Sequence, residues 1–397
     1  MERDGNQMRI AYATSVHPDW DVRVWKMAVS AAASGMDVQL ICPWKVSSDV
    51  RQGVRLRPFT RFPRGRNRLF AVRREVRGIL AGMDAPPDIV HFHDPDLLPL
   101  ASRRPTESAY IYDVHENFHE EVKERDWLPR FMRSPLSVVA DRIERRWASR
   151  CDGIVCVVPP QLPRFEVTGA RLEMVRNFAS NSVFACPTPF RHDRRPKVIG
   201  TTAAHYESNG SLVFLEAARI VADSRPDFRF EVGDRFASST FRSRFLETRT
   251  RLGLEETVRI VPNVPAERMP ERLARWFIGV SSNLDDRKQR LALPTKVFEY
   301  MAAGLPTVAS RLPLIESLVQ DGRDCLLVDP GDPDELAGAI IGLIDDPRRA
   351  EALSAAGRRA FEQRLNWESE IDRLANFYQA ILDSTANRRS RVPSDLD

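Results

Sequence analysis

The sequence predicts an α/β protein of two Rossmann-like doubly wound halves facing across a cleft. Short apolar strand patterns alternate with helical ones from the start of the chain, a proline-rich break interrupts them, and the alternation then begins afresh. At 397 residues the chain exceeds a comfortable single core, since a domain takes about 100–200 residues. Such alternation implies parallel sheets covered on both faces, which bind ligands at the carboxyl ends of their strands.

Met8–Thr14 is the first buried-strand pattern, followed by a polar loop and a helix over Val24–Ser34 that Gly35 stops. Val38–Cys42 is the next strand, halted by Pro43; Asp88–Phe92, Tyr110–Val114 and Gly153–Val158 continue the series, with a helix over Ser134–Arg150. The break at 185–197 holds three prolines and mixed charge, which predicts a linker after an N-terminal domain of residues 1–184. Beyond it come strands at Val198–Thr201, Phe228–Val232, Val258–Val261, Ile278–Ser281, Thr307–Ala309 and Cys325–Val328, with a helix over Ser211–Ser224. They make a second domain of residues 198–366. A helix over 367–383 follows, then a polar tail, 384–397, expected to be disordered.

Composition narrows the class. Apolar residues are 43% and charged residues 29%, as in ordinary globular proteins. No apolar run approaches the ~18 residues of a membrane span, and the polar N-terminus predicts no signal peptide. Five scattered cysteines make neither a disulfide framework nor a zinc site, so a cytoplasmic setting without a protein-held metal is expected. The net charge of +4 is uneven: Arg51 to Arg77 holds ten arginines and one acid, Glu75. A second basic stretch, Lys123 to Arg150, interleaves Trp127, Phe131 and Trp147 with arginines. One reading is a solvated surface; the other is peripheral contact with an anionic membrane or a phosphorylated acceptor. No recognition-helix, RNP or zinc-finger pattern accompanies the charge, so nucleic acid is not expected.

The most informative stretch runs from Leu293 to Ser310. Pro294 and Thr295 open a helix to Ala303 that Gly304 caps, and Pro306 starts the turn into a strand. Unpaired N–H groups and the dipole favour an anion at that helix start. Lys296 in the first turn makes sense beside a phosphate, and Glu299 one turn deeper suits sugar hydroxyls. The spacing equally allows an exposed Lys296–Glu299 ion pair.

This segment, Pro294-Thr295-Lys296-Val297-Phe298-Glu299-Tyr300, resembles the signature of family 4 glycosyltransferases of the GT-B fold, in the branch with a Pro-Asn-Lys-Leu-Phe-Glu-Tyr type motif. Other segments are similar in the same order: Thr14–Pro18 with Asp21–Val24, Asp88–Leu100, Tyr112–Asn117, Val175–Asn177, Leu314–Glu316, Asp321–Val328 and Asn366–Glu368. The resemblance implies a retaining transferase that moves a sugar from a nucleotide-diphosphate donor, a co-substrate rather than a cofactor. The acceptor would be a glycan, a lipid-linked sugar or a small molecule, in cell-surface polysaccharide or glycolipid synthesis. It further implies a last helix crossing back to the first domain.

By that resemblance His115 and Glu299 are the catalytic candidates. Gly200, Thr201, His205, Arg235, Pro294, Thr295, Lys296 and Glu299 would bind the donor, and Asp21, Arg23, His93, Asp94 and Glu116 would lie on the acceptor side. His91, inside a strand, reads as structural, and Asp21 and Arg23 could instead pair with each other. The chain departs from the family where Thr201 and Asn209 occupy positions usually basic. Arg235, Arg287, Lys288 and Arg290 are candidates to supply that charge, and His205 could donate to a phosphate instead. A transferase-like binding protein without turnover and a sugar-nucleotide epimerase are the alternatives.

Overall fold

The computed structural model describes residues 7–17, 22–43, 49–62, 68–115, 118–124, 128–184 and 190–390. They form two compact units, one of residues 1–176 with 370–397, the other of residues 177–369. The division falls at Arg176/Asn177 rather than at residue 184, and residues 185–189 of the expected linker lie outside the described residues.

The first unit holds β1 (Arg9–Ala13), β2 (Asp37–Pro43), β3 (Val50–Arg51), β4 (Val54–Phe59), β5 (Ile89–Phe92), β6 (Ala109–Val114), β7 (Gly153–Cys156) and β8 (Arg171–Met174). They form one sheet in the order β3-β4-β2-β1-β5-β6-β7-β8, parallel apart from the short β3–β4 pair. The order reverses between β1 and β5, so the loops after those two strands border the switch point where such sheets bind ligands. β4 lies within the arginine-rich stretch, where no strand is expected. Its Val54-Arg55-Leu56-Arg57 alternation buries one face and solvates the other. On one face of the sheet, Val72, Val76 and Leu80 of the Arg68–Ala81 helix pack with Ala11, Val90 and Tyr112.

The last helix, Trp367–Ser390, extends past the expected end at 383 and into the stretch expected to be disordered. From Glu370 onward it belongs to the first unit. Gly153 of β7 admits it closely: a Cβ there would lie 2.7 Å from Phe377 Cζ.

The second unit holds β9 (Val198–Thr201), β10 (Arg229–Gly233), β11 (Val258–Val261), β12 (Ile278–Ser281), β13 (Thr307–Ser310) and β14 (Leu326–Val328), all parallel. The order is β11-β10-β9-β12-β13-β14, which places the switch point between β9 and β12. One face carries a core of Phe214, Leu215, Phe230, Val280 and Leu336, the other Trp276, Phe298, Tyr300 and Phe361. These are two doubly wound sheets, as the alternation predicts. Among the described residues, no helix is long and apolar enough to cross a membrane.

Candidate active site

In the first unit the loops after β1, β5 and β6 meet around two buried carboxylates. Asp94 accepts hydrogen bonds from Thr14 Oγ1 and the Ser15 N–H, both at 2.7 Å, and His17 Nε2 lies 3.4 Å away. Burial alone would raise its pKa; the bonds from His17, Thr14 and Ser15 outweigh burial and lower it to about 2. Asp113, at the end of β6, accepts from Arg23 Nε at 3.0 Å and Nη2 at 2.8 Å. Its Oδ2 also lies 3.1 Å from His93 Nδ1 and 3.0 Å from His115 Nε2. Against the burial penalty, Arg23 above all, then His115 and His93, holds this carboxyl well below the usual range.

Behind this knot the rings continue inward. His93 stacks on His91, whose Nδ1 lies 2.6 Å from the Tyr378 hydroxyl, itself 3.2 Å from that of Tyr12. Burial pushes the His93 imidazole down to about 4, so it is neutral at physiological pH. His91, His93 and Asp113 offer three donor atoms within 4.8 Å of one another. Arg23 already takes both Asp113 oxygens, and its fixed charge disfavours a cation there, so these residues do not suit a metal.

Several acceptor-side expectations change here. Arg23 is buried against Asp113 and does not face an acceptor. His93 and Asp94 stand at the end of a strand as expected, but both are buried under their own partners. Asp21 and Glu116 lie outside the described residues. His115 keeps 12% of its side chain exposed and is the knot's outermost imidazole on Asp113. The Arg23–Asp113 pair was missed, although a signal was present. An acid inside Tyr110-Ile111-Tyr112-Asp113-Val114 must find a cation when the strand is buried.

In the second unit the loops after β9, β10 and β12 converge with the Thr295–Ala302 helix. That helix starts as the sequence predicts, after Pro294, and its Tyr300 hydroxyl accepts from the Thr202 N–H at 2.9 Å. This bond ties the helix to the loop after β9. Lys296 is half-buried in the first turn, and no described residue accepts a hydrogen bond from its ammonium. Burial lowers its pKa to about 8; Glu299 pulls upward and Arg235 pushes down. The exposed Arg235 and the buried His205 complete a concentration of positive or donor groups at this edge of the sheet.

His205 is 1% exposed, with Nδ1 3.0 Å from Ser211 Oγ. Burial lowers its pKa to about 4, helped by Lys296 and Arg235 and opposed by the Gly233 carbonyl. Its burial corrects the expectation of direct phosphate contact. Gly200 is likewise interior: it pairs within the sheet, and a Cβ on it would lie 2.2 Å from Trp276. Thr201 is buried, its hydroxyl accepting from the Ala203 N–H at 3.2 Å.

Asn209 is locked in an amide network. It donates to the Ala204 carbonyl at 2.7 Å and accepts from Asn283 at 2.9 Å and Gln289 at 3.0 Å. The next residue, Gly210, has φ +63°, and a Cβ on it would meet the Ser282 carbonyl oxygen at 1.7 Å. The loop after β9 is thus clamped to the loop after β12, with no room for a basic side chain at 209. Arg290 is taken up by Asp285 at 2.5 and 2.6 Å, and Lys288 lies over the Tyr206 ring. Lys296 and Arg235 are cations that this edge offers to a ligand.

Comparison with known proteins meets these two units one for one. Residues 21–162 match the model described as Glycosyltransferase Family 4, and residues 196–346 that described as Glycosyl transferases group 1. Sucrose-phosphate synthase from Thermosynechococcus elongatus superposes with a TM-score of 0.75 at 16% identity, over 95% of this chain and 100% of that one. The fold is GT-B. Anabaena HepE, solved with UDP and glucose, gives 0.72 at 15% identity, over 94% of this chain and 100% of its own. Among curated relatives, D-inositol 3-phosphate glycosyltransferase of Thermomonospora curvata is 30% identical over 179 residues, 43% of this chain and 40% of that protein. A GDP-mannose-dependent phosphatidylinositol monomannoside mannosyltransferase of Mycolicibacterium smegmatis is 31% identical over 156 residues, 38% of this chain and 41% of its own. The matches thus span about two fifths of the curated relatives' length. Both units of this GT-B chain are similar to glycosyltransferase domains, which supports a family 4 glycosyltransferase.

Proposed function

We propose that this chain is a retaining glycosyltransferase that takes its sugar from a nucleotide-diphosphate donor held by the second unit. The observation that carries the reading is the Lys296 ammonium, half-buried in the first turn of the Thr295–Ala302 helix with no acceptor among the described residues. A half-buried cation beside Arg235 at a helix N-terminus is costly alone and favourable with a diphosphate on it. Glu299, one turn deeper, would accept from the ribose hydroxyls. In the first unit His115 would hydrogen-bond a sugar substrate, its ring fixed through Asp113.

On this account the protein's contribution to the reaction is electrostatic and positional. Lys296, Arg235 and the helix N–H groups stabilise the leaving diphosphate, and no protein-held metal is required. The family motifs and the relatives' glycosyl-transfer activities support this reading. The acceptor is a glycan, a lipid-linked sugar or a small molecule. A second reading, a binding protein without turnover, is favoured by Asn209, whose amide network fills a position where the family carries charge.

Incubation with a panel of UDP- and GDP-sugars, followed by mass spectrometry, tests the proposal. Release of the nucleoside diphosphate, lost in Glu299→Gln and His115→Ala, is the expected result. Tight nucleotide binding with no release from any donor would favour the binding protein.

A further inference from the structure

The helix Arg130–Ala148 is oriented against the usual pattern. It buries Ser137, Glu144 and Ala148 and exposes Phe131, Val138, Val139, Ile143 and Trp147, with Phe131 80% and Ile143 53% exposed. The inward polar groups are satisfied: Ser137 donates to the His119 carbonyl at 2.6 Å, and Glu144 accepts from the Tyr112 hydroxyl at 2.9 Å and Arg164 at 2.8 Å. The orientation is therefore fixed by buried partners. More than half of the helix's exposed residues are apolar, stepping Phe131, Pro135, Val139, Ile143, Trp147 at intervals of four residues. That stripe is about 24 Å long at 1.5 Å per residue.

Arginines interleave with it. Arg130, Arg142 and Arg146 are exposed on this face and carry no ion pair among the described residues, and Arg150 follows just beyond. The carboxylates of this helix do not offset them: Asp141 is held by Arg145 and Arg164, and Glu144 is buried with Arg164. A soluble monomer rarely leaves such a contiguous apolar patch open to water. A second copy is a poor occupant, because a two-fold contact would set unpaired arginines against each other. An anionic lipid surface suits both features at once, with phosphate headgroups for the guanidinium groups and the acyl boundary for the apolar side chains.

We propose that this face of the Arg130–Ala148 helix docks flat on an anionic bilayer, with Phe131, Ile143 and Trp147 entering the interface. The attachment is peripheral. It is independent of the donor reading, since the helix contributes no residue to the Lys296 site.

Co-sedimentation of the full chain with vesicles tests it, using phosphatidylcholine alone or with phosphatidylglycerol added. Binding is expected only with the anionic lipid, and it should fall steeply at about 0.5 M salt. Arg142→Gln/Arg146→Gln should weaken binding about 25-fold, near fivefold per arginine. Ile143→Ser/Trp147→Ser should weaken it about tenfold or more. Nucleotide affinity should stay unchanged in both, which separates this proposal's failure from that of the donor site. Equal binding to both lipids, or none to either, would overturn the proposal. So would a dimer seen by ultracentrifugation without lipid that Ile143→Ser/Trp147→Ser dissolves.

Discussion

Replacing Asp113 by Asn keeps the shape of the side chain and removes its charge. The Arg23 guanidinium, 6% exposed, then loses the carboxylate bonded to its Nε and Nη2 at 3.0 and 2.8 Å. Breaking a buried pair on one side costs about 3–5 kcal/mol, because the remaining charge stays desolvated. The first unit comprises 1–176 with 370–397, a size at which 1 kcal/mol moves the midpoint by about 2–4 °C, so its transition should fall by about 6–20 °C. Differential scanning calorimetry on the full chain reads this directly. Arg23→Met/Asp113→Leu removes both charges and should recover most of the loss. A single variant within about 1 kcal/mol of the parent, or a double variant as unstable as the single, would refute the reasoning.

Other consequences follow from the same geometry. His93 and His205 are buried with pKa values near 4, below the ~6.5 of an unfolded histidine, so the unfolded chain takes up protons first as pH falls. Stability should drop by about 2 kcal/mol per histidine between pH 7 and pH 5, and His205→Asn should flatten part of that slope in urea titrations. Below pH 4 the Asp113 term is lost as well, since its folded pKa lies below the unfolded value. Gly210→Ala should cost about 2 kcal/mol or more, because the added Cβ meets the Ser282 carbonyl oxygen and φ is positive. Nucleoside diphosphate affinity should decline as pH rises through about 8, where free Lys296 loses its proton. Calorimetric titration from pH 7 to pH 9 checks this, and a flat profile would count against Lys296 as the phosphate partner.

The fold was legible where short apolar runs stand between polar stretches. Val198–Thr201, Val258–Val261 and Ile278–Ser281 stand at the residues the pattern marks. β4 was hidden because Arg55 and Arg57, its solvated face, dominate any count of charge, while Val54 and Leu56 carry the period of two. Polar composition signals solvent exposure, and it does not exclude a helix, which here continues past residue 383 to Ser390. At the candidate site, Lys296 and Glu299 were readable as a helix start carrying charge. Depth was not: a strand's carboxyl end locates His93, Asp94 and His205 along the chain, whereas their burial depends on Asp113, Thr14 and Ser211 arriving from other elements. Arg23 and Asp113 are 90 residues apart, so no local pattern joins them.

The central claim is that Lys296 awaits the diphosphate of an activated sugar. Isothermal titration of the preferred nucleoside diphosphate into the parent, Lys296→Met and Lys296→Arg tests it most directly. Loss of a charge-assisted bond of about 1.5–3 kcal/mol predicts affinity lower by about ten- to a hundredfold in Lys296→Met, with partial recovery in Lys296→Arg. Parent-like affinity in Lys296→Met would contradict the account.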